Sequence, residues 1–411
     1  MSSHDRSQEP SETTTKDELD LYFSYKRRGV SEAKMKVKSF QATNSSENAK
    51  IRSVIYLGDS VRNRYYIQRS MLKFMSLCSG SLIELRLASS SVNAVNSKFS
   101  KADFLDLLLQ LPKDNNLQVL SVDGITFTEK RLYWRSRLKK AIQHLSKLRQ
   151  FRWASCKFGS EELDSTEQTY NLAASLSKIP CLERVDFQCQ DSDSLRTAIK
   201  LCECSNLQSL DLKLPPSSSN FLQSDFFDSI KAHSNLKHLS LKKSTPFSSS
   251  DLRCIGDMLE NNTSLQTLDI PVATGASIDP LVKSLSTNNC ALEELICSVE
   301  SPVTLLVSED VMNAFISALQ NLNFDLKYLY IFKAECFKEV SIWGKQKKDE
   351  IDMFLRLNRV GRKRLFAAEK GDNNSFSVSA DTWLEVLTAA QEDITSLYYL
   401  LLQYPEIVTF I

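Results

Sequence analysis

Apolar residues recur along the chain in a short pattern, Leu-x-x-Leu-x-apolar, with about one helix and one strand of sequence between copies. The clearest copy is Leu265-Gln-Thr-Leu268-Asp-Ile270. Taking the first apolar residue of each copy as its anchor gives Ile51, Leu82, Leu117, Leu148, Leu182, Leu207, Leu236, Leu265, Leu292 and Leu326. Successive anchors are 25 to 35 residues apart. A period of this size predicts a solenoid, in which each unit buries its apolar side against its neighbours.

Each anchor opens a short stretch in which apolar and polar residues alternate, which is typical of a strand with one buried face. The residues between the strands instead carry helical spacing, with Leu252, Ile255 and Leu259 on one face. One strand and one helix per unit require a parallel sheet with the helices on its other side. Because a helix is wider than a strand, we expect a horseshoe with the sheet on its concave side and the helices on its convex side. The predicted fold class is therefore an α/β solenoid.

In three copies an Asn stands three residues before the anchor, at Asn262, Asn289 and Asn323. Together with the period and the helical connectors, these residues resemble the leucine-rich-repeat family, and most of all its ribonuclease-inhibitor-like class. The resemblance implies a leucine-rich-repeat solenoid and a role in protein binding. One feature departs from the family: its usual Asn or Cys, eight residues after the anchor, is matched by Cys156 alone. We therefore expect irregular turns after the other strands.

Composition and pattern divide the chain into three parts. Residues 1–45 are rich in Ser, Thr, Glu and Lys, and we expect a disordered or loosely ordered arm there. Residues 46–340 are predicted to form the leucine-rich-repeat domain, with about ten repeats. Residues 341–411 are predicted to form a helical cap, because the last repeat needs its apolar edge covered. Within this cap, residues 355–362, Trp383 and residues 398–401 resemble the tails that close many algal leucine-rich-repeat proteins.

Charge and composition argue against several classes of function. The 51 basic and 50 acidic residues leave a formal net charge of +1, which argues against a dedicated nucleic-acid binder. No run of apolar residues approaches the length of about 18 that a membrane-spanning helix needs, so no membrane contact is expected. The first residues contain no apolar core of a secretory signal. We therefore expect a protein of the cytoplasm, or alternatively of the nucleus, with reduced thiols.

The sequence lacks the common catalytic and metal-binding motifs. It contains no phosphate-binding loop, nucleophile elbow or zinc-binding helix motif. Its ten cysteines form no Cys-x-x-Cys pair, and it has only four histidines. We interpret His233 and His238, five residues apart, as ordinary surface histidines. The prediction is a protein without enzymatic activity, catalytic residues, metal or cofactor.

The third, fifth and seventh positions of each strand pattern should point away from the buried layer. The candidate partner-binding residues at these positions are Arg152, Arg184, Asp186, Asp211, Lys213, Lys242, Asp269, Tyr328, Tyr330 and Phe332. Adjacent strands lie about 4.8 Å apart, so Asp186 and Asp211 would be like-charge neighbours. The same holds for Lys213 and Lys242. Two interpretations stay open: a charged strip that binds a partner, or acids that pair diagonally with Arg184 and Lys213.

The last repeat would place Tyr328, Tyr330 and Phe332 on this same side of the sheet. Three exposed aromatic residues are typical of a binding hot spot; alternatively, the C-terminal cap covers them. A basic cluster follows in the cap at residues 356–364, and we interpret it as a solvated helix face paired with nearby acids.

The function that these features favour is a non-catalytic protein–protein interaction scaffold, which binds a partner protein on the concave sheet face and is itself a monomer. The alternative is a regulatory subunit, such as a ubiquitin-ligase substrate receptor or a GTPase activator. Residues 1–50 contain no Leu-Pro-rich helical segment like an F-box, which argues against the receptor. No Arg is identifiably placed as a catalytic finger, which argues against the activator.

Overall fold

The structure is a computed structural model of the chain. The residues that it describes are 18–21, 34–41, 50–58, 82–89, 98–99, 105, 108–109, 111, 115–127, 134–158, 164–189, 194–215, 224–243, 246–273, 275–286, 291–298, 308–323, 325–331, 345–365, 380–391 and 393–404. The chain divides into two compact units, Met1–Leu182 and Glu183–Ile411, which we call the N-terminal unit and the C-terminal unit.

The N-terminal unit is built around parallel strands. Its strands are β1 (Glu18–Leu21), β2 (Lys34–Gln41), β3 (Lys50–Gly58), β4 (Glu84–Ser89), β5 (Lys98–Phe99), β6 (Val119–Asp123), β7 (Thr126–Phe127), β8 (Gln150–Ala154) and β9 (Lys157–Phe158), and its helices are α1 (Trp134–Gln143) and α2 (Asp164–Leu176). β3, β4, β6 and β8 pair in parallel in this order. The two-residue strands β5, β7 and β9 form a second parallel ladder beyond the main strands.

Two of these strands lie within residues 1–45, where the composition predicted a loosely ordered arm. β1 pairs antiparallel with β2, and β2 pairs antiparallel with β3. The sequence of β2, Lys-Met-Lys-Val-Lys-Ser-Phe-Gln, alternates Lys with an apolar residue over its first five positions, and this period of two suits a strand. The sequence did not predict this strand, because lysines are also typical of a solvated linker. The remaining residues of this arm lie outside the described residues.

The C-terminal unit repeats one strand and one helix. Its strands are β10 (Arg184–Gln188), β11 (Ser209–Leu214), β12 (His238–Lys243), β13 (Thr267–Pro271), β14 (Glu294–Ser298) and β15 (Tyr328–Ile331). Its helices are α3 (Ser194–Cys202), α4 (Ser224–Lys231), α5 (Ser249–Asn261), α6 (Asp279–Leu285), α7 (Glu309–Asn321), α8 (Lys345–Arg359), α9 (Ala380–Ala390) and α10 (Ile394–Gln403). Neighbouring strands pair in parallel from β10 through β15.

The core lies between the strands and the helices, and the repeated apolar positions build it. In the repeat of β11, Leu207, Leu210 and Leu212 are fully buried, while Lys213 points to solvent. Burying one such leucine contributes about 1.5–3 kcal/mol before the loss of conformational entropy. Because the same positions recur in each repeat, each strand adds a layer to one continuous core within the unit.

The helices pack closely beside one another. The predicted apolar face of α5 is buried, including Leu252, Ile255 and Leu259. Where α5 meets α6, a Cβ added at Gly256 would lie only 2.7 Å from the backbone oxygen of Pro280. This distance is shorter than a van der Waals contact, so the spacing between these helices requires glycine.

Buried Asn side chains connect successive repeats where a helix ends and the next strand begins. The side-chain amide of Asn262 donates to the carbonyl oxygen of Ile230 at 2.7 Å, and its oxygen accepts the backbone N–H of Leu265 at 2.8 Å. Asn323 makes the same two kinds of bond at 2.6 and 3.0 Å. These bonds satisfy backbone groups that are left open at helix ends. Asn289, the third predicted member, lies outside the described residues.

His233 occupies the same position in its own repeat, three residues before the Leu236 anchor, and it is buried. Its Nε2 donates to the carbonyl oxygen of Cys204 at 2.9 Å, while its Nδ1 accepts the backbone N–H groups of Asn235 and Leu236 at 3.2 and 3.0 Å. The interpretation as a surface histidine was therefore wrong for His233. It holds for His238, which is exposed on β12.

Parallel strands alternate with helices in the C-terminal unit, and the same positions of each repeat are buried. The chain thus has the fold of an α/β leucine-rich-repeat solenoid, which confirms the predicted fold class. Cys156 also behaves as the family pattern implies, because its thiol donates to the carbonyl oxygen of Val122 in the preceding repeat at 3.3 Å.

Candidate partner-binding face

The third, fifth and seventh strand positions of the C-terminal unit form one face of its sheet, which we call the open face. At the fifth position, successive strands align Asp186, Asp211, Ser240, Asp269, Ile296 and Tyr330. Asp186 therefore lies beside Asp211, and Lys213 lies beside Lys242. This register is the predicted one.

The acidic row of the open face is partly neutralised by its own neighbours. The guanidinium of Arg184 lies 3.7 Å from the carboxylate of Asp211, one strand away and two positions displaced. The hydroxyl of Ser240 donates to the carboxylate of Asp269 at 3.0 Å. The diagonal pairing with Arg184 that the sequence suggested is therefore present. An exposed pair of this kind contributes about 0–1 kcal/mol, which is of the same order as the repulsion between like charges on neighbouring strands.

The basic row differs from the acidic row. Lys213 and Lys242 are neighbours in register and both are exposed. Within the described part of the chain, neither lysine has a carboxylate within the 4.0 Å of an ion pair. The next residue, Lys243, is half-buried, and its ammonium lies 5.6 Å from the centre of the Phe247 ring. Burial lowers the pKa of Lys243, while the charge of Asp251 opposes that shift. The open face therefore presents two adjacent positive charges at the carboxyl ends of β11 and β12.

An aromatic pair lies at the other end of the open face, on β15. Tyr328 and Tyr330 are 38% and 46% exposed. Their rings are stacked, with centroids 6.0 Å apart and planes 6° from parallel. The guanidinium carbon of Arg359, in α8, lies 5.4 Å from the Tyr328 ring centre. The described part of the cap therefore borders this pair without covering it. Phe332 lies outside the described residues.

Arg152, the remaining candidate, belongs to the N-terminal unit. It is exposed on β8 and lies in register with Ser121 of β6. Its guanidinium is 3.5 Å from the carboxylate of Asp123. The structure thus gives Arg152 an acidic partner within its own sheet, as it does for Arg184.

The cap packs on the last repeat through specific contacts. α8 lies against α7, and α10 lies against α8 and α9. Asn358 of α8 donates to the carbonyl oxygens of Asn323 and Leu326 at 3.1 and 2.8 Å, so the series of bridging side chains extends into the cap. Trp383 is buried and meets Tyr404 edge to face, with ring centroids 5.6 Å apart.

The basic cluster of the cap is only partly a solvated face. Arg356 pairs with Asp352 and Asp393 at 2.8 and 3.0 Å, and Lys363 pairs with Asp325 at 2.6 Å. Such pairs agree with the interpretation from sequence.

Arg362 is the exception in this cluster, because it is 1% exposed. It donates to the carbonyl oxygen of Leu319, and its guanidinium carbon lies 4.9 Å from the Phe354 ring centre. Burial lowers the pKa of Arg362 to about 10. Arg362 attaches the cap to α7. The pattern of charged residues in the sequence did not indicate this role.

In the part of the chain that the structure describes, the thiols and the other possible metal ligands form no assembled chemical site. Among the described residues, no group of three or more His, Cys, Asp or Glu side chains could hold a metal ion. Burial raises the pKa of Cys204 and of Cys297 to about 12, so these thiols are protonated and poorly nucleophilic near neutral pH. Cys181, in contrast, is exposed.

Across the described helices, none is long and apolar enough to span a bilayer.

Comparison with known proteins adds little to this description. No protein-family model matches the chain, and no curated protein matches it. One similar solved structure is that of an internalin from Listeria monocytogenes strain 4b F2365. It aligns at 11% identity with a TM-score of 0.30, over 70% of this chain and 86% of that chain.

Proposed function

We propose that this protein is a non-catalytic interaction scaffold, and that the open face of its C-terminal unit binds a partner protein. The observation that carries the proposal is the exposed, stacked pair Tyr328 and Tyr330 at the end of that face. Tyrosines supply a large contact area with little loss of side-chain entropy, and they are enriched among the residues that dominate interface energies.

The two ends of the open face would contribute differently. Burial of the tyrosine pair by a partner provides affinity. The exposed Lys213 and Lys242 attract an acidic region of the partner and raise the association rate. Asp211 and Asp269 already have partners within the sheet. We therefore expect each to contribute less to partner binding than an unpaired carboxylate would.

We also infer that the repeats are of the ribonuclease-inhibitor-like class. Helices rather than extended connectors follow β10 through β14, and Asn262 and Asn323 bridge neighbouring repeats as that class would require. The resemblance of the cap to algal tails stays a prediction that rests on its sequence. The location in the cytoplasm or nucleus is likewise a prediction from the sequence. Free, buried thiols such as that of Cys297 are consistent with this location.

The experiment that tests the function is affinity purification of the full chain from its native cells, compared with a Tyr328→Ala/Tyr330→Ala variant. We expect the variant to lose at least about tenfold in the partner captured, because hot-spot aromatics contribute about 2 kcal/mol or more. The matched control is Leu384→Ala, which removes an exposed apolar side chain of α9, outside the open face. Equal capture by the wild type and the double variant, with both folded, would contradict the proposal.

Once a partner is identified, binding kinetics test the lysine pair. Lys213→Glu/Lys242→Glu should slow association, and more so at low salt, because exposed charges act mainly on encounter. The control is Lys139→Glu/Lys140→Glu, which changes the same charge on the exposed side of α1. A ubiquitin-ligase adaptor or a small GTPase among the captured proteins would support the alternative role of a regulatory subunit; any other client would support a general scaffold.

A further inference from the structure

The open face of the C-terminal unit has a basic end and an aromatic end. At the basic end, Lys213 and Lys242 lie in register on β11 and β12, and both are exposed. Asp211, two residues before Lys213 on the same strand, already pairs with Arg184. This carboxylate is therefore engaged, and the basic end offers two adjacent ammonium groups to the acidic side chains of a partner.

The aromatic end is a small apolar patch on β14 and β15. Ile296 is half-buried and lies in register with Tyr330, whose ring stacks on that of Tyr328. Two opposite charges border the patch, because Glu294 lies in register with Tyr328 and the guanidinium of Arg359 lies near the same ring. With these charges balanced, the aromatic end favours a large apolar side chain over a charged one.

A row of polar side chains lies between the two ends. Ser240, Thr267 and Asp269 occupy third and fifth strand positions of β12 and β13 and are half-buried. The Asp269 carboxylate accepts the Ser240 hydroxyl and has lone pairs left for a backbone N–H, while the Thr267 hydroxyl can donate to a backbone carbonyl. An extended chain leaves such backbone groups open, whereas a helix satisfies them internally. The polar row therefore favours an extended segment.

The register of the strands sets the distance between the two ends. Lys242 is two strands from Ile296 and three strands from Tyr330, with a displacement of two residues along the strands. With about 4.8 Å between strands and about 3.3 Å per residue, these separations are about 12 and 16 Å. In an extended peptide every second side chain points to the same side, and four residues span about 13 Å. A side chain four residues from an acid at Lys242 would therefore reach the apolar patch.

We propose that the open face binds an extended acidic segment of a partner protein, in which two acidic residues are separated by one residue and a large apolar residue lies four positions from the nearer acid. The two acids pair with Lys213 and Lys242, and the apolar side chain packs on Ile296 and Tyr330. This inference rests on the proposed function and adds the chemistry and spacing of the bound segment. The spacing applies to either chain direction, so the test includes both.

Ligand-observed NMR titrations of the full chain with synthetic peptides test this proposal. The probe is Glu-Ser-Glu-Ser-Gly-Ser-Phe with blocked ends, used in this order and in the reverse order. The control peptide, Glu-Ser-Glu-Phe-Ser-Gly-Ser, has the same composition and charge, but its Phe follows the second acid directly and points to the opposite side. We expect the probe in one of its orders to bind at least about fivefold more tightly than the control, because only the probe makes both contacts at once.

Charge reversal tests the contact with the lysines. Lys213→Glu/Lys242→Glu should lower the affinity for the probe at least about fivefold, whereas Lys139→Glu/Lys140→Glu, on the exposed side of α1, should leave it unchanged. A probe with Lys in place of both Glu residues should bind the Lys213→Glu/Lys242→Glu variant more tightly than the wild type. This reversal also shows that the variant is folded, and its absence would contradict a direct contact.

Tyr328→Ala/Tyr330→Ala should likewise weaken the probe at least about fivefold, because it removes most of the apolar patch. The outcomes separate this inference from the function on which it rests. If the wild type binds probe and control peptide equally while the tyrosine variant still loses its captured partner, the face binds a segment of other chemistry and only this inference is overturned. If the tyrosine variant loses neither the partner nor the probe, both proposals are wrong.

Discussion

At the residue scale, the side chains that join one repeat to the next are as informative as the leucines. Asn262 and His233 are different residue types at the same position, yet each donates to a carbonyl of the preceding repeat and accepts N–H groups of its own. The imidazole ring can replace the amide because its two nitrogens act as one donor and one acceptor. The position therefore requires a donor and an acceptor together, rather than one residue type.

This equivalence leads to a prediction for His233. His233→Ala would leave buried backbone groups without partners and should destabilise the fold by about 2–4 kcal/mol, whereas His233→Asn should stay within about 1 kcal/mol of the wild type. His238→Ala, on the exposed side of β12, is the control and should have an effect below about 0.5 kcal/mol. Urea unfolding followed by circular dichroism measures all three. An Asn variant as unstable as the Ala variant would contradict the equivalence.

At the scale of single elements, α10 depends on a charged group at its start. Asp393 caps the helix, and its carboxylate also pairs with Arg356 at 3.0 Å. The hydrogen bond from the Ser396 hydroxyl, supported by the backbone N–H of Ser396 and by Arg356, lowers the pKa of Asp393 below its ordinary value. The folded state therefore favours the ionised carboxylate more than the unfolded state does.

The sign of this shift determines a dependence on pH. The stabilisation from Asp393 is fully present above the pKa of an unfolded Asp, about 4, and it is lost as the pH falls through the lower pKa of the folded state. Asp393→Asn keeps a capping oxygen but no charge, so the wild type should be the more stable at neutral pH. The difference should shrink below about pH 4. Urea titrations of both proteins across this range measure it, and a difference independent of pH would contradict the assigned role.

At the scale of the whole molecule, the cap continues the pattern of the repeats without a described strand of its own. Asn358 repeats the donor half of the role that Asn323 has one repeat earlier, because both donate to the backbone at the end of the preceding unit. Its side-chain oxygen, unlike that of Asn323, has no hydrogen-bond partner among the described residues. Arg362 adds a second buried attachment to α7. The cap therefore stabilises the last repeat in the way that each repeat stabilises the one before it.

Removing this attachment should weaken the end of the solenoid. Asn358→Ala leaves two carbonyl oxygens without their donor and should cost about 1–3 kcal/mol. Leu384→Ala, at an exposed position of α9, is the control and should have little effect. Truncation before α8 should give partly unfolded or insoluble protein, since it exposes the apolar side of α7. Thermal unfolding and hydrogen exchange measure both effects; a truncated chain that melts like the full chain would show that the segment is a tail.

The candidate face could be predicted in its register but not in its pairing. The alternation in each repeat placed Asp186 beside Asp211 and Lys213 beside Lys242, as the strands do. The sequence could not decide which of these charges is satisfied, since that depends on rotamers that bring Arg184 to Asp211 and leave the two lysines exposed. It also left open whether the cap covers Tyr328 and Tyr330, which depends on the direction in which α8 leaves the last repeat.

The sequence alone determined the type of fold, because a solenoid depends on contacts between neighbouring repeats, and such contacts leave a period in the chain. It did not determine the features that depend on contacts without a period. The burial of His233 and Arg362 and the exposure of Tyr328 and Tyr330 depend on which surfaces the folded chain brings together. Only the tertiary structure decides these, because the same Arg or Leu suits a solvated helix face or a buried contact until its neighbours are known.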